Sequence, residues 1–141
     1  MNENEVKVFM LKEANELLSL LTELIHDLQK KRDQAAEIEV QIDALELVSG
    51  SVEDASAGEL EKLMEKHRQV VAEFYDVVDE IQSNGCLLKD IDLGLIDFYG
   101  VVEGHIVCLC WRIGEEQIGF WHDIKEGYAS RQPLTSDENF Q

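Results

Sequence analysis

Positions at alternating steps of three and four along the first third of the chain, Ala14, Leu17, Leu21, Leu24, Leu28, Lys31, Ala35, Ile38, Ile42 and Leu45, are apolar but for Lys31. This spacing sets them on one face of a helix as a heptad seam, with Glu, Lys, Gln and Asp on the wet side. No Gly or Pro interrupts from Leu11 to Leu47. The pattern predicts one helix over 11–47, about 55 Å long at 1.5 Å per residue. Val48-Ser-Gly-Ser-Val52 then breaks it with turn chemistry. Ser56-Ala-Gly-Glu59 has the form of a capping box at the start of a second helix, over 57–83. Its seam is Leu60, Leu63, His67, Val70, Phe74, Val77 and Ile81, and Asn84-Gly85 ends it. Two helices on a short loop fold back antiparallel. If Leu45 lies by Leu60, Ile38 meets His67 and Lys31 meets Phe74. Lys31 reads as a side chain snorkelling from the seam, and His67 as a histidine bonded to a neighbour.

From Gly94 the period changes to two. Leu95–Val102 and His105–Ile113 are rich in β-branched, aromatic and aliphatic residues, and Glu103-Gly104 between them is a hairpin turn. Gly114-Glu115-Glu116 makes the next turn, and Gln117–His122 the third strand, with a shorter extended piece at Cys86–Lys89. Pairing Val102 with His105 sets Ile96 opposite Trp111, Phe98 opposite Leu109 and Asp97 opposite Cys110. One face then carries Ile96, Phe98, Val107, Leu109, Trp111, Ile118 and Phe120, a core face. The other carries Leu95, Asp97, Tyr99, Cys108, Cys110, Arg112 and Trp121, too apolar to sit bare in water. A homodimer is the expected cover for it and for the wide apolar stripe of the helices. The predicted class is therefore α+β: a long antiparallel helical hairpin, coiled-coil-like, followed by a three-stranded antiparallel β-meander over 94–122. A single domain spans 1–141, with a flexible tail at 135–141.

Charge narrows the partners. The formal net charge is −18, from 30 acidic and 12 basic residues. Residues 1–83 carry 20 acids and 8 bases, and residues 84–141 carry 10 and 4, so neither half offers a basic face. Nucleic acid and anionic membrane are excluded as partners on that ground. No apolar run approaches the roughly 18 residues of a membrane span, and Met1-Asn-Glu-Asn-Glu5 has no signal-peptide character. Three cysteines without framework spacing fit a reducing compartment. A cytoplasmic location is the expectation.

The runs Asp90-Ile-Asp-Leu-Gly-Leu-Ile-Asp-Phe98, Leu109-Cys-Trp-Arg112, Ile118-Gly-Phe-Trp-His122 and Gly127-Tyr-Ala-Ser-Arg-Gln-Pro-Leu134 resemble those of the bacterial family catalogued as domain of unknown function 2203. Glu13-Ala-Asn-Glu-Leu-Leu18 resembles its opening helix. The likeness covers nearly the whole chain and implies a bacterial or archaeal cytosolic protein of this architecture, with no activity assigned. The chain departs from the family pattern at Met10, where members tend to carry a capping Thr, and at Val101-Val-Glu-Gly104, where several carry basic residues.

Candidate chemistry is sparse. Asp90-Ile-Asp-Leu-Gly94 opens like a calcium loop, but Val101 stands where the twelfth-position Glu belongs, so it reads as a turn. Cys108 and Cys110 share a strand face without a second ligand pair, and read as small buried thiols rather than zinc ligands. No metal and no cofactor is expected. Asp97, Arg112, His122 and Arg131 remain as candidate ligand-binding residues, with Asp92 a possible addition. Asp97 and Arg112 are diagonal neighbours suited to a cross-strand ion pair, Arg112 could instead hold a carboxylate or phosphate, and His122 could serve as a base or ligand. No nucleophile has a base and there is no phosphate loop. The leading functional expectation is a non-enzymatic, self-associating interaction or scaffold protein. The alternative is a small-ligand- or metal-binding protein or enzyme built on the polar cluster of the meander, and a coiled-coil adaptor in cell division is the weaker third.

Overall fold

The computed structural model describes residues 7–48 and 55–135. It is an α+β structure with two compact units, one formed by the chain up to Ile25 together with the chain from Asp79 onward, the other by His26–Val78. Among the described residues, no helix is long and apolar enough to cross a membrane. The linker expected around Gly50 and, apart from Thr135, the tail expected at 135–141 lie outside the described residues.

The first helix is not continuous. It divides into α1 (Leu11–Glu16) and α2 (Leu18–Val48). At Leu17 the N–H turns to the Ala14 carbonyl, three residues back, and the four-residue ladder resumes with Leu21 N–H on Leu17 O. Asn15 in this turn makes a contact that the seam does not reveal: its Oδ1 accepts the Ile118 N–H at 2.8 Å, which ties the turn to the connection after β3. Helix α3 (Ala55–Ser83) starts ahead of the expected point, so Ser56 lies within it rather than capping it.

In the helical unit, Ile38, Val70 and Val77 are buried, and His67 Nε2 stands 3.4 Å from Glu39 Oε1. Lys31 does not merely snorkel, because its Nζ is held by Asp27 Oδ1 one turn back at 2.9 Å.

The other unit is built on a sheet of five strands in the order of the chain: β1 (Leu87–Asp90), β2 (Leu95–Val102), β3 (His105–Arg112), β4 (Phe120–His122) and β5 (Gln132–Pro133). All four pairings are antiparallel. The β2–β3 register is the one read from the turn, Val102 opposite His105 and Asp97 opposite Cys110. That turn has φ of 50° at Glu103 and 81° at Gly104, the two left-handed residues that match the twist of flanking strands. Gly94 is required where β2 begins. Its φ is 62°, and a Cβ there would stand 2.3 Å from Ile113 Cγ2.

One face of β2 and β3 buries Ile96, Phe98, Val107, Leu109 and Trp111, and Phe9 meets Phe98 edge to face at 5.2 Å. The third expected strand departs from its reading. It is shorter, and Cys110 pairs with Phe120, Leu109 with Trp121 and Cys108 with His122. Phe120 and His122 therefore share the face of Asp97 and Cys110, while Trp121 lies on the core face, the reverse of the expected alternation. The physical reason is the connection from Ile113 to Gly119. It is longer than a tight turn, so period-two reading from Gly114 does not carry the register across it.

Candidate functional site

The face of the sheet that carries Asp97 is polar at its centre, yet it is closed to solvent. Asp97 and His122 are each 2% exposed and Cys110 is fully buried. β2 supplies the aspartate, β3 the cysteine and β4 the histidine. The strand pairs Asp97–Cys110 and Cys108–His122 set the three side chains on one face by backbone register alone. Their ligand atoms all lie within 4.8 Å of one another.

His122 uses both ring nitrogens. Nδ1 is 2.8 Å from the Asp123 carbonyl oxygen and Nε2 is 3.0 Å from Asp97 Oδ2. A carbonyl can only accept, so Nδ1 carries a proton and donates it, which turns the Nε2 lone pair or its proton toward the carboxylate. One proton must lie between Nε2 and Oδ2, because a bare imidazole nitrogen and a bare carboxylate oxygen repel at that distance. Burial raises the Asp97 pKa, opposed in part by the His122 charge. The other carboxylate oxygen, Oδ1, is buried without a hydrogen bond of ordinary geometry, and the Cys110 thiol is near enough to act on the carboxylate as a weak donor. Close by, burial and then the Asp97 charge push the Cys110 thiol up to about 12 and the Cys108 thiol up to about 11.

Arg131 closes the β5 side of this cluster. Its guanidinium lies over the Phe120 ring at 3.9 Å and the Tyr128 ring at 4.5 Å. It donates to both Glu115 oxygens, at 3.2 and 2.8 Å, and its Nη1 stands 4.0 Å from Cys110 Sγ. Such a doubly stacked, forked guanidinium is fixed in place.

The four candidates from the sequence are thus only partly joined. Asp97 and His122 are hydrogen-bonded, and Arg131 touches their neighbour Cys110. Arg112 does not pair with Asp97 as expected. It is exposed on the same face and donates to the Tyr128 hydroxyl at 3.0 Å. The diagonal ion pair fails because His122 reaches the carboxylate first, from the other side of Cys110. Asp92 sits exposed in the β1–β2 turn, where Asp90 Oδ1 accepts the Leu93 N–H at 2.8 Å, the local bonding expected of that turn. Glu115 is the residue that sequence reading misses. That reading sets Cys110 opposite Asp97 and weighs it with Cys108 as a zinc ligand, but sets it aside for want of further ligands, which the wrong β4 register hides by placing His122 on the other face. Unlike this cluster, a cavity of about 570 Å³ on the helical unit, lined by His26, Asp33, Glu37, Lys66 and neighbouring side chains, has no buried polar atom without a partner among the described residues.

The site can hold a cation. Imidazole nitrogen, thiolate and carboxylate are the donor set of zinc and its neighbours in the first transition row. Around a tetrahedral zinc the ligand atoms stand about 3.3–3.7 Å apart, given bonds of about 2.0–2.3 Å. The present ligand atoms stand between 3.0 Å (His122 Nε2 to Asp97 Oδ2) and at most 4.8 Å apart. The Nδ1–H to backbone carbonyl bond is the usual outer contact of a metal-bound histidine, since it fixes the tautomer with Nε2 free to ligate.

The chain matches the family described as "Uncharacterized conserved protein (DUF2203)" over residues 7–134, and it belongs to that family. Searches of curated proteins and of solved structures return no match.

Proposed function

We propose that this protein is a metal-binding protein whose site is Asp97, Cys110 and His122, taking a divalent transition ion of the zinc type. The observation that carries the reading is the buried carboxylate of Asp97, whose Oδ1 has no donor of ordinary geometry beyond the nearby Cys110 thiol and whose Oδ2 is held against a histidine with its Nδ1 proton on a backbone carbonyl. Charge supports a dication in particular. One carboxylate, one thiolate and one neutral imidazole sum to −2, so a bound dication makes the buried set neutral, whereas a monocation would leave a charge in the sheet. The ion takes the place of the proton between Nε2 and Oδ2 and of the Cys110 proton. Three protein ligands leave a fourth position, the pattern of zinc sites that act on something rather than only brace a fold.

The test is titration of chelator-treated protein with Co2+, which reports thiolate ligation by its charge-transfer absorption. One equivalent should bind, and Cys110→Ser, Asp97→Asn and His122→Asn should each weaken it by about 100-fold or more. Absence of a thiolate band in the wild-type protein rules the reading out.

A second reading rests on the far end of the helical unit, where Val40 is 67%, Leu47 85% and Val48 70% exposed. Val40 and Leu47 stand seven residues apart on one side of α2. We propose that the two helices form an antiparallel hairpin and that this apolar end pairs two copies of the chain. Sedimentation should give a dimer that Leu47→Glu with Val48→Glu converts to a monomer. A wild-type protein that is monomeric throughout the micromolar range excludes it.

A further inference from the structure

The Trp121 indole is out of keeping with the rest of the sheet. Its Nε1 is buried without an acceptor, a condition shared among the described side chains by Asp97 Oδ1 alone. Trp111 shows the ordinary arrangement, with its Nε1 donating to the Glu115 carbonyl at 2.9 Å. Trp121 also borders a cavity of about 200 Å³, whose other walls are Val102, Glu103, His105, Val107 and Asp123. Strand register explains this company. Trp121 lies opposite Leu109 on the core face, Val107 is two residues from Leu109 on that face, and Val102 pairs with His105 across the β2–β3 turn. Val102 and Val107 are buried and form an apolar floor. Glu103, His105 and Asp123 are exposed and form the rim, so the cavity opens to solvent between them.

The rim stays acidic once its neighbours are counted. Among the described residues, neither the Glu103 nor the Asp123 carboxylate is in an ion pair, and no Lys or Arg lines the cavity. Lys125, the nearest cation along the chain, is followed by Glu126, so those two add no net charge. The walls thus set two requirements on one molecule. Two carboxylates and a neutral imidazole are three acceptors, which match the three N–H donors of a primary ammonium. The indole N–H requires an acceptor beside that cation. A quaternary ammonium has no donor for the rim, and the end of a polyamine or of a lysine side chain has no acceptor for the indole. An α-amino carbonyl group has both, on adjoining carbons, and its side chain can meet the valine floor.

We infer that this cavity binds the free amino terminus of a peptide. The ammonium sits at Glu103, His105 and Asp123, the first carbonyl accepts from the Trp121 indole, and an apolar first side chain covers Val102 and Val107. A cavity of about 200 Å³ is smaller than the sites of drug-sized ligands and fits a single terminal residue. No hydrogen bond holds the indole, so the ring is free to turn its N–H to the carbonyl as that residue enters. A free amino acid carries the same group together with a carboxylate, which the two acids of the rim repel. The site shares no residue with the Asp97, Cys110 and His122 set and stands apart from the metal reading.

The chain has two tryptophans, so the experiment follows their two indole N–H signals by NMR of the isotope-labelled full chain, assigned through Trp121→Phe. Leucinamide is the probe, and a ligand of about nine non-hydrogen atoms binds in roughly the millimolar range. Over that range the Trp121 proton should move downfield and saturate, as an N–H does on gaining an acceptor. The Trp111 signal, already bonded to Glu115, should stay. N-acetyl-leucinamide lacks the charge, isopentylamine lacks the carbonyl and leucine adds a carboxylate, and each should bind at least about 10-fold more weakly. Glu103→Gln and Asp123→Asn alter exposed side chains and should each weaken leucinamide by about 10-fold, with an unmoved Trp111 signal as the check on folding. A Trp121 signal that leucinamide leaves in place overturns the site. Equal binding of the acetylated amide overturns the role of the rim, and equal binding of isopentylamine overturns that of the indole. Leucine bound as tightly as leucinamide overturns the choice of a peptide end.

Discussion

Asp97→Asn separates the structural demand on the buried pair from its use. With Nδ1–H fixed on the Asp123 carbonyl, Nε2 and Oδ2 share one proton, and in the variant an asparagine amide N–H can meet the Nε2 lone pair at the present 3.0 Å. The substitution keeps shape and hydrogen bond and gives up only the charge, so metal-free protein should lose about 1 kcal/mol or less. Asp97→Ala leaves Nε2 unpaired and a small void, which costs about 3 kcal/mol. His122→Phe strands a carboxylate that is 2% exposed, and removal of one member of a buried pair costs about 3–5 kcal/mol. Urea unfolding followed by tryptophan fluorescence is the assay, because Trp111 and Trp121 both lie in the sheet and report this unit alone. Run in chelator, the variants should rank Asn, then Ala, then Phe. Repeated with free Zn2+ at about 100 times its dissociation constant, wild type should gain about 2.7 kcal/mol and Asp97→Asn about 0.4 kcal/mol or less. If Asn costs as much as Ala in chelator, the assigned tautomer is wrong. If Asn gains as much from zinc as wild type does, Asp97 is not a ligand.

Other substitutions address the frame. Met10 is the N-cap of α1, extended at φ −75° and ψ 147°, and Glu13 already reaches back to its N–H at 3.0 Å. Met10→Thr supplies the missing acceptor and should add about 1 kcal/mol, seen as a rise of about 3 °C in a thermal melt. Gly94→Ala forces a left-handed alanine against Ile113 and should cost about 2–5 kcal/mol by urea midpoint; a loss under 1 kcal/mol contradicts the packing. Burial raises the Cys86 thiol from the ordinary 9.0 to about 11, and its sulfur donates to the Ile81 carbonyl at 3.2 Å. Its stabilisation is complete below pH 9 and is lost as pH rises toward 11, since the unfolded chain gives up that proton first. At pH 10 the loss is about 1.4 kcal/mol, and Cys86→Ala should flatten the stability curve by that amount between pH 8 and pH 10.

Legibility in the sequence followed locality. The Val102–His105 turn declares itself through Glu103-Gly104, and every β2–β3 pair follows by counting outward from it. The division at Leu17 is invisible, because Ala14-Asn-Glu-Leu-Leu18 is good helical sequence and the Asn15 side chain is claimed by Ile118, more than a hundred residues on. β5 is invisible for a similar reason. Gln132-Pro133 has no strand pattern of its own and is held as an edge by Phe120 and Trp121. Three of the four candidate site residues could be picked by type from the sequence and found clustered, but not their grouping. Asp97 meets His122 only if β4 is taken in the register that follows a long connection, and only that meeting gives Cys110 the partners for want of which the sequence alone sets it aside as a ligand.

What raises this cluster above structural polarity is its expense. A buried acid and base held by one proton are replaceable by apolar side chains of similar volume at little cost, and often with a gain in stability. The surrounding face gives every opportunity for that exchange, since Leu95, Cys108 and Phe120 already pack there. The chain instead spends a locked histidine, a carboxylate with one idle oxygen and a thiol on the same few cubic ångströms. Arg131, stacked on two rings and forked to Glu115, then fixes a cation against the sulfur. A fold brace would need none of these to be titratable. A ligand set needs all three to be so, because a metal displaces two protons, the one that Asp97 and His122 share and the one on Cys110, and that requirement is the simplest physical account of why they are together.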